Sequence, residues 1–192
     1  MFAGYIGDNT INTSLSSAGF TLDLEDIPSY GCYRMFRNTQ VVNGPKFPNL
    51  KSVGDYGLAE AFQKCSNLSS VELPSTPISV GTYGFNYAFS KSGIKTVENL
   101  NLSGIGQYGC QGMFLSCADL EKVDGLSAER FSTYALSGMF SKCSSLTAVQ
   151  DLHIDNSKNA IKKSGSAKLY SMFNGCNSLL SVGGLIKGVY GQ

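Results

Sequence analysis

The chain has 192 residues, of which 42% are hydrophobic and 15% are charged. A chain of this length and composition can bury a substantial core and fits one domain better than two. Its 15 basic and 14 acidic residues leave a net charge of +1. That balance excludes strong overall steering toward a nucleic acid or an anionic membrane, and we predict no nucleic-acid partner.

The N-terminal residues 1–29 are less regular than the rest of the chain. They lack the charged and apolar regions of a signal peptide, and no apolar run in the chain approaches the roughly 20 residues that cross a bilayer. We therefore predict no targeting signal and no membrane span. Phe20, Leu22 and Leu24 alternate as in a strand. We assign 1–29 to an irregular segment or partial repeat and 30–192 to a repeat solenoid, with a single domain overall.

A repeat dominates the chain from residue 30 onward. The aromatic residue of a Met-Phe or Ala-Phe pair recurs at intervals of 26, 27, 25, 26 and 33 residues. A period of this length is typical of solenoids, in which stacked units share one continuous core. The six anchor phenylalanines are Phe36, Phe62, Phe89, Phe114, Phe140 and Phe173.

Within a copy such as 56–71 or 108–123, the pattern is YGxxx(M/A)FxxCxxLxxV. Around Phe62, the residues Leu58, Ala61 and Cys65 complete the i, i+3, i+4, i+7 spacing of a short helix with one buried face. A turn follows, and the LxxV segment that ends at Val71 predicts a strand. The pattern therefore predicts about six helix-turn-strand repeats with a parallel sheet on one side.

The motifs MFxxCxxLxxV and AFxxCxxLxxVxLP resemble the BspA-like leucine-rich repeats and the related 26-residue bacterial surface-protein repeat. The resemblance covers residues 30–185. It implies an α/β, right-handed, leucine-rich-repeat-like solenoid. Proteins of this family are typically bacterial surface or secreted proteins, often adhesins, and similar repeats occur in some phage proteins. The resemblance thus implies an extracellular or cell-surface location, with a phage virion as the alternative.

The cysteines follow the repeat. Four cysteines lie three residues after an anchor phenylalanine, and two lie four residues before one. Both positions are on the predicted buried face, where a free cysteine packs as a small hydrophobe. No CxxC spacing supports zinc, and we predict no metal and no cofactor. Neighbouring coils bring Cys117 and Cys143 about 5 Å apart, which is within disulfide reach. The two sets are Cys65, Cys117, Cys143 and Cys176, and Cys32 and Cys110.

Two further features, a glycine-rich hexad and a single histidine, do not predict a functional site. The hexad Gly104–Gly109 fits GxGxxG, but Gly109 is the glycine that follows the repeat tyrosine, so we do not predict a nucleotide site. His153 is the one histidine of the chain. It has no local nucleophile motif, and we interpret it as a strand or surface residue, although spacing leaves a histidine-based triad open.

Tyrosines recur six residues before five of the anchor phenylalanines, and their common register predicts a ladder of rings. We favour a structural role through stacking over an exposed strip for glycans or protein. The five are Tyr30, Tyr56, Tyr83, Tyr108 and Tyr134.

An acidic row is the clearest predicted surface feature. Glu72, Glu98 and Asp124 each follow the strand valine of their repeat. Parallel strands lie roughly 4.8 Å apart, so the three carboxylates should stack on the solvent face of the sheet and repel unless cations or a basic partner compensate. Sheet faces are where solenoids bind. We predict these residues as binding residues.

A basic insertion and an open end complete the candidates. The interval before Phe173 is longer than the others and contains Lys158, Lys162 and Lys163, which we predict as binding residues on a loop. The last residues leave an apolar strand without a polar capping repeat, which indicates missing sequence, a partner chain, or self-association through uncapped ends.

These patterns favour a non-enzymatic recognition module of a bacterial surface or secreted adhesin type, which binds a protein or a glycan. One alternative is a structural or receptor-binding component of a phage virion or surface assembly. A further alternative is a carbohydrate-active enzyme that uses two of the acids in the row, although a flat row lacks the cleft and the divergent environments that such pairs need.

Overall fold

The fold is a solenoid of parallel strands. The computed structural model describes residues 21–157 and 169–187. Its strands are β1 (Asp26–Ile27), β2 (Asn43–Lys46), β3 (Ser52–Val53), β4 (Ser70–Glu72), β5 (Ile78–Val80), β6 (Thr96–Glu98), β7 (Asn101–Ile105), β8 (Lys122–Asp124), β9 (Ser127–Phe131), β10 (Ala148–Asp155) and β11 (Ser181–Lys187).

Each regular repeat contributes two strand segments, which stack into two parallel ladders. The first ladder contains the predicted LxxV strands: it joins β6 to β8, the start of β10 and the start of β11, while β2 and β4 form a separate pair. The second ladder runs β1, β3, β5, β7, β9 and the end of β10, where β11 joins it. The second strand of each repeat was missed by the sequence prediction.

The predicted helices are wrong. No helix occurs within residues 21–157 and 169–187; the segments 29–38, 55–64, 82–91, 107–116, 133–142 and 169–175 are instead runs of consecutive turns, called turn segments below. Their backbone bonds to the next coil: Cys32 N–H donates to the Gly57 carbonyl (2.8 Å) and Phe36 N–H to the Ala61 carbonyl (2.8 Å).

Coil spacing explains why a helix does not fit. The anchor phenylalanine rings stack with centroids 5.2 to 5.7 Å apart, close to the ~4.8 Å spacing of the strand ladders. An α-helix with its side chains is roughly 10 Å wide, so helices in successive repeats would overlap. A turn segment that is one backbone layer thick keeps the turn face in step with the ladders.

The turn segments use left-handed backbone at every fourth residue. In the fourth coil Tyr108, Gly112 and Ser116 have φ of 57°, 58° and 58°. The same three positions are left-handed in the coil before, at Tyr83, Tyr87 and Lys91. Turns that repeat every four residues bury positions i, i+3, i+4 and i+7. An amphipathic helix buries the same positions, so this sequence spacing fits both structures.

The predicted core is confirmed although the helix is not. The residues of the stripe are buried, with Leu58, Ala61, Phe62 and Cys65 each at most 2% exposed. From the strands, the inward residues Val97 and Val123 join the same cluster. Stripe and strand residues therefore meet in one continuous core along the solenoid.

The left-handed positions give a direct test of the turn segments. Lys142 is exposed and has φ of 61°, so Lys142→Gly should raise the free energy of unfolding by up to ~1 kcal/mol, because glycine adopts this backbone without strain. In a helix the same change would lower it by roughly 0.7 kcal/mol. Urea unfolding followed by circular dichroism measures the difference.

The control is Ser145→Gly, at an exposed position near Lys142 that lacks a positive φ. It should be destabilising, because glycine there only adds freedom to the unfolded chain. Equal destabilisation by both variants would contradict the turn segments.

Candidate binding face

The first ladder places two of the three predicted acids side by side. Glu98 and Asp124 are register partners on β6 and β8. Val97 and Val123 point inward and are buried, so by the alternation of a strand their neighbours point to solvent. Glu98 is exposed and Asp124 is half-buried. The outward surface of this ladder is called the binding face below.

A lysine partly compensates this pair of acids. Lys122 Nζ lies 2.7 Å from a carboxylate oxygen of Asp124. The hydrogen bond to Asp124 raises the pKa of Lys122, and the charges of Asp124, Glu98 and Asp151 raise it further. One cation therefore lies among three carboxylates, and the local charge of the binding face stays negative.

Glu72 does not continue this row. Its strand pairs with β2, where Glu72 is the register partner of Lys46 and lies 2.6 Å from the Lys46 Nζ. No pairing joins β4 to β6 in the described part of the chain. The prediction of three stacked acids is corrected to an adjacent pair, Glu98 and Asp124, and a separate acid.

The predicted basic residues Lys158, Lys162 and Lys163 lie outside the described residues. Their binding role stays a prediction.

The second ladder adds polar residues that the sequence prediction did not include. Ser103, Glu129 and Asp155 are successive register partners on β7, β9 and β10. His153, also on β10, has its Nε2 3.7 Å from a carboxylate oxygen of Glu129, and both side chains are partly exposed. The signal was available, because serine and acidic residues alternate there with buried Leu102, Ala128 and Ile154.

The tyrosine ladder is confirmed. Successive rings from Tyr30 to Tyr134 stack with centroids 4.8 to 5.3 Å apart and planes within 15° of parallel. Inside the ladder both ring faces are covered by neighbouring rings. Stacking on a sugar needs a free ring face, so this packing favours the structural interpretation.

The buried position of the cysteines is confirmed, and all six are free thiols, Cys117 and Cys143 included. The cysteine three residues after an anchor phenylalanine donates its thiol hydrogen to a backbone carbonyl of the preceding coil. Cys65 donates to the Phe36 carbonyl (2.9 Å) and Cys143 to the Phe114 carbonyl (3.1 Å). The thiols therefore fasten adjacent coils, a role beyond filling space.

Burial also makes these thiols poor nucleophiles. Desolvation raises the pKa of Cys117 to about 11 and raises the pKa of Cys110 and Cys143 as well. Since the thiolate is the reactive form, we expect Ellman's reagent at pH 8 to label the folded protein slowly and all six thiols after denaturation. Cys32 and Cys176, each 9% exposed, should react first. Fast labelling of Cys110 or Cys143 would contradict this packing.

The hexad Gly104–Gly109 lies where β7 passes into a turn segment. A Cβ on Gly109 would lie 2.5 Å from Ile105 Cγ2, so this glycine is required by packing inside the coil. No helix follows it to receive a phosphate. Among the described residues no group of three or more His, Cys, Asp or Glu side chains is arranged to hold a metal ion, and no helix is long and apolar enough to span a membrane.

Fold and face together define a class of protein: a parallel-strand repeat solenoid with stacked aromatic rings, a row of buried thiols and an exposed polar sheet. The family model described as a BspA type leucine rich repeat region matches residues 32–182 in six copies. The chain therefore belongs to the BspA-type leucine-rich-repeat family. No curated protein and no solved structure matches it significantly.

Proposed function

We propose that this protein is a non-enzymatic recognition module that binds a protein or glycan ligand through the binding face. A bacterial surface or secreted protein of the adhesin type fits this role, in line with the family. The supporting observation is the adjacent pair Glu98 and Asp124 on an exposed sheet.

The pair supports recognition because the repulsion between its two carboxylates, which Lys122 offsets only in part, does not help folding. Like charges on directly opposite strand residues destabilise a sheet by a few tenths of a kcal/mol or more. Coils of this chain also place uncharged residues at the same register position, as at Gln150. Two carboxylates side by side offer a basic ligand group a stronger attraction than either alone, and they do so without a deep pocket.

The environment of Glu98 and Asp124 suits binding better than acid–base catalysis. Acid–base catalysis by a carboxylate pair requires two different environments that separate the pKa values of the two groups. Glu98 and Asp124 share one open face, so we favour binding over glycoside hydrolysis.

A glycan and host-protein array tests the proposal. We expect the Glu98→Gln/Asp124→Asn variant to lose most of the binding that the wild type shows, and wild-type binding to weaken as salt is raised, since exposed charges are screened. Glu25→Gln/Asp119→Asn is the matched control, because it removes two exposed acids outside the face and should bind as the wild type does. Unchanged binding by the Glu98/Asp124 variant would refute the proposed site.

A structural role in an assembly is the second candidate, and the last described strand favours it. On β11, Val182 is 47% and Ile186 is 52% exposed, although their register partners Val149 and Ile154 on β10 are buried. No other strand of the described residues pairs with β11 on its far side, and core-type side chains on such a strand edge are a template for pairing with another chain.

For this role we expect the wild type to exceed the monomer mass of 20.5 kDa in analytical ultracentrifugation, and Val182→Lys/Ile186→Lys to return it to the monomer. Ser181→Lys, on the outward side of the same strand, is the control that should keep the association. A monomeric wild type would count against assembly through β11.

A further inference from the structure

The first ladder is interrupted between β4 and β6. Most Cα pairs between these strands lie more than 8 Å apart, whereas nearly all Cα pairs between β6 and β8 lie within that distance. The second ladder continues across the same coils, and Phe62 and Phe89 still stack with centroids 5.4 Å apart. The interruption, called the β4–β6 gap, is therefore confined to one face of the solenoid.

The corner of the third repeat that precedes the gap is short. Ser92-Gly93-Ile94 stands where four of the other repeats have the four residues CxxL, such as 117–120. The first repeat has an equally short corner, Thr39-Gln40-Val41, but a bulge in β2 restores its register with β4. A Cβ on Gly93 would lie 2.2 Å from the Ser66 carbonyl oxygen, so the corner is held tightly against the preceding coil. The short corner of the third repeat therefore adjoins the gap, and no bulge in β6 compensates for it, since β6 pairs with β8 without a register shift.

One row of backbone hydrogen bonds along the first ladder is missing at the gap. In later coils Glu121 N–H donates to the Lys95 carbonyl (2.9 Å), Thr147 N–H to the Glu121 carbonyl (3.0 Å) and Leu180 N–H to the Thr147 carbonyl (2.9 Å). By this register, Lys95 N–H would donate to Ser69. That bond does not occur among the described residues.

A second row stops at the same place. Asn99 N–H donates to the Asp124 carbonyl (2.9 Å), and the equivalent bond one coil earlier would join Leu73 N–H to the Glu98 carbonyl. It too is absent from the described residues. Two facing strand edges, one on each coil, thus leave donors and acceptors without strand partners.

A cavity of about 50 Å³ lies at the gap. Its lining is mainly apolar, from Val71, Leu73, Phe89, Ile94, Val97, Leu100 and Phe114, with Thr96 and Glu98 as polar members. Val71 is partly exposed, whereas the equivalent Val123 in the regular fourth repeat is fully buried. Leu73 is partly exposed as well. An apolar cavity of about 150 Å³ binds benzene, so one of about 50 Å³ suits a small aliphatic group rather than an aromatic ring.

Acidic groups border this cavity. Glu98 contributes to its lining, and Glu72 lies on the opposite strand beside Val71. Both side chains are exposed. Glu72 already pairs with Lys46, whereas Glu98 has no ion pair among the described residues, so the charge of Glu98 favours a basic segment over an acidic one.

We propose that the β4–β6 gap binds an extended peptide segment of a partner protein as an inserted parallel strand. Its backbone bonds to both strand edges, a Val-sized side chain fills the cavity, and a neighbouring Lys or Arg lies against Glu98. A strand between two neighbours needs roughly 9.6 Å, which is twice the ordinary spacing, and backbone pairing combined with side-chain pockets is an established mode of peptide recognition. The proposal rests on the recognition role proposed above and specifies its ligand.

The test uses the synthetic peptide Lys-Val-Lys-Val-Lys, blocked at both ends, and isothermal titration calorimetry on the whole protein. We expect it to bind the wild type. Binding should weaken roughly tenfold or more when the valine nitrogens are methylated, because the peptide then loses backbone donors, and Glu-Val-Glu-Val-Glu should not bind.

The protein variant closes the gap. Replacing residues 92–94 by Cys-Ala-Asp-Leu, the sequence at 117–120, should let β6 pair with β4 and abolish peptide binding while keeping the urea midpoint at or above the wild-type value. Val71→Phe fills the cavity instead and serves if the replacement does not fold. Equal peptide binding by the wild type and the variant that folds would overturn the proposal.

Amide exchange gives an independent measurement. Without peptide, Leu73 and Lys95 should exchange faster than Glu121 and Gly125, and the peptide should slow Leu73 and Lys95 selectively. Equal protection in the free protein would show that the gap is closed in solution and overturn the proposal. If array ligands bind the wild type and the gap-closing variant equally but fail to bind Glu98→Gln/Asp124→Asn, that result would overturn the proposal of an inserted strand and would still support the recognition role.

Discussion

The spacing of about 5 Å between successive coils, set by backbone hydrogen bonds from one coil to the next, is the constraint on which the rest of the structure depends. It is short enough for side chains at equivalent positions to touch, so each position forms its own stack. Phenylalanine and tyrosine form two ring stacks with centroids 4.8 to 5.7 Å apart. The thiols reach the carbonyl groups of the preceding coil. The same spacing brings Glu98 beside Asp124, and therefore creates the acidic binding face.

Much of this arrangement could be predicted from sequence, because a solenoid converts sequence period into spatial neighbours. The repeat register set by Phe36 through Phe173 was sufficient to predict the tyrosine ladder, the buried thiols and the parallel ladder of strands. Local conformation could not be predicted in the same way. A stripe at i, i+3, i+4 and i+7 fits both an amphipathic helix and a chain of four-residue turns. The left-handed positions hold tyrosine and lysine as well as glycine, so composition does not separate the two.

The candidate site shows the same division. The pairing of Glu98 with Asp124 followed from the regular fourth repeat, whereas Glu72 is separated from them where the third repeat has a corner one residue shorter. When the repeats are aligned on the anchor phenylalanines, this one-residue difference between the corners is not apparent. The second strand escaped prediction because it is short, and because the bulge at Gly104 shifts its register against β5.

The interruption of the first ladder lies beside the acidic pair, and this proximity is informative. The fourth repeat has the regular four-residue corner at 117–120, and the valine of the strand that follows it, Val123, is completely buried. At 92–94 the chain has a shorter corner, beside which backbone groups lack strand partners and apolar side chains are partly exposed. Both effects lower stability, since unpaired backbone groups and exposed core residues are unfavourable. The aromatic stack and the second ladder keep the coils together there, so the irregularity is tolerated without disrupting the fold. A departure from a repeat that the same chain satisfies elsewhere is typical of positions shaped by binding, and it places an apolar cavity, open strand edges and negative charge within two adjacent coils.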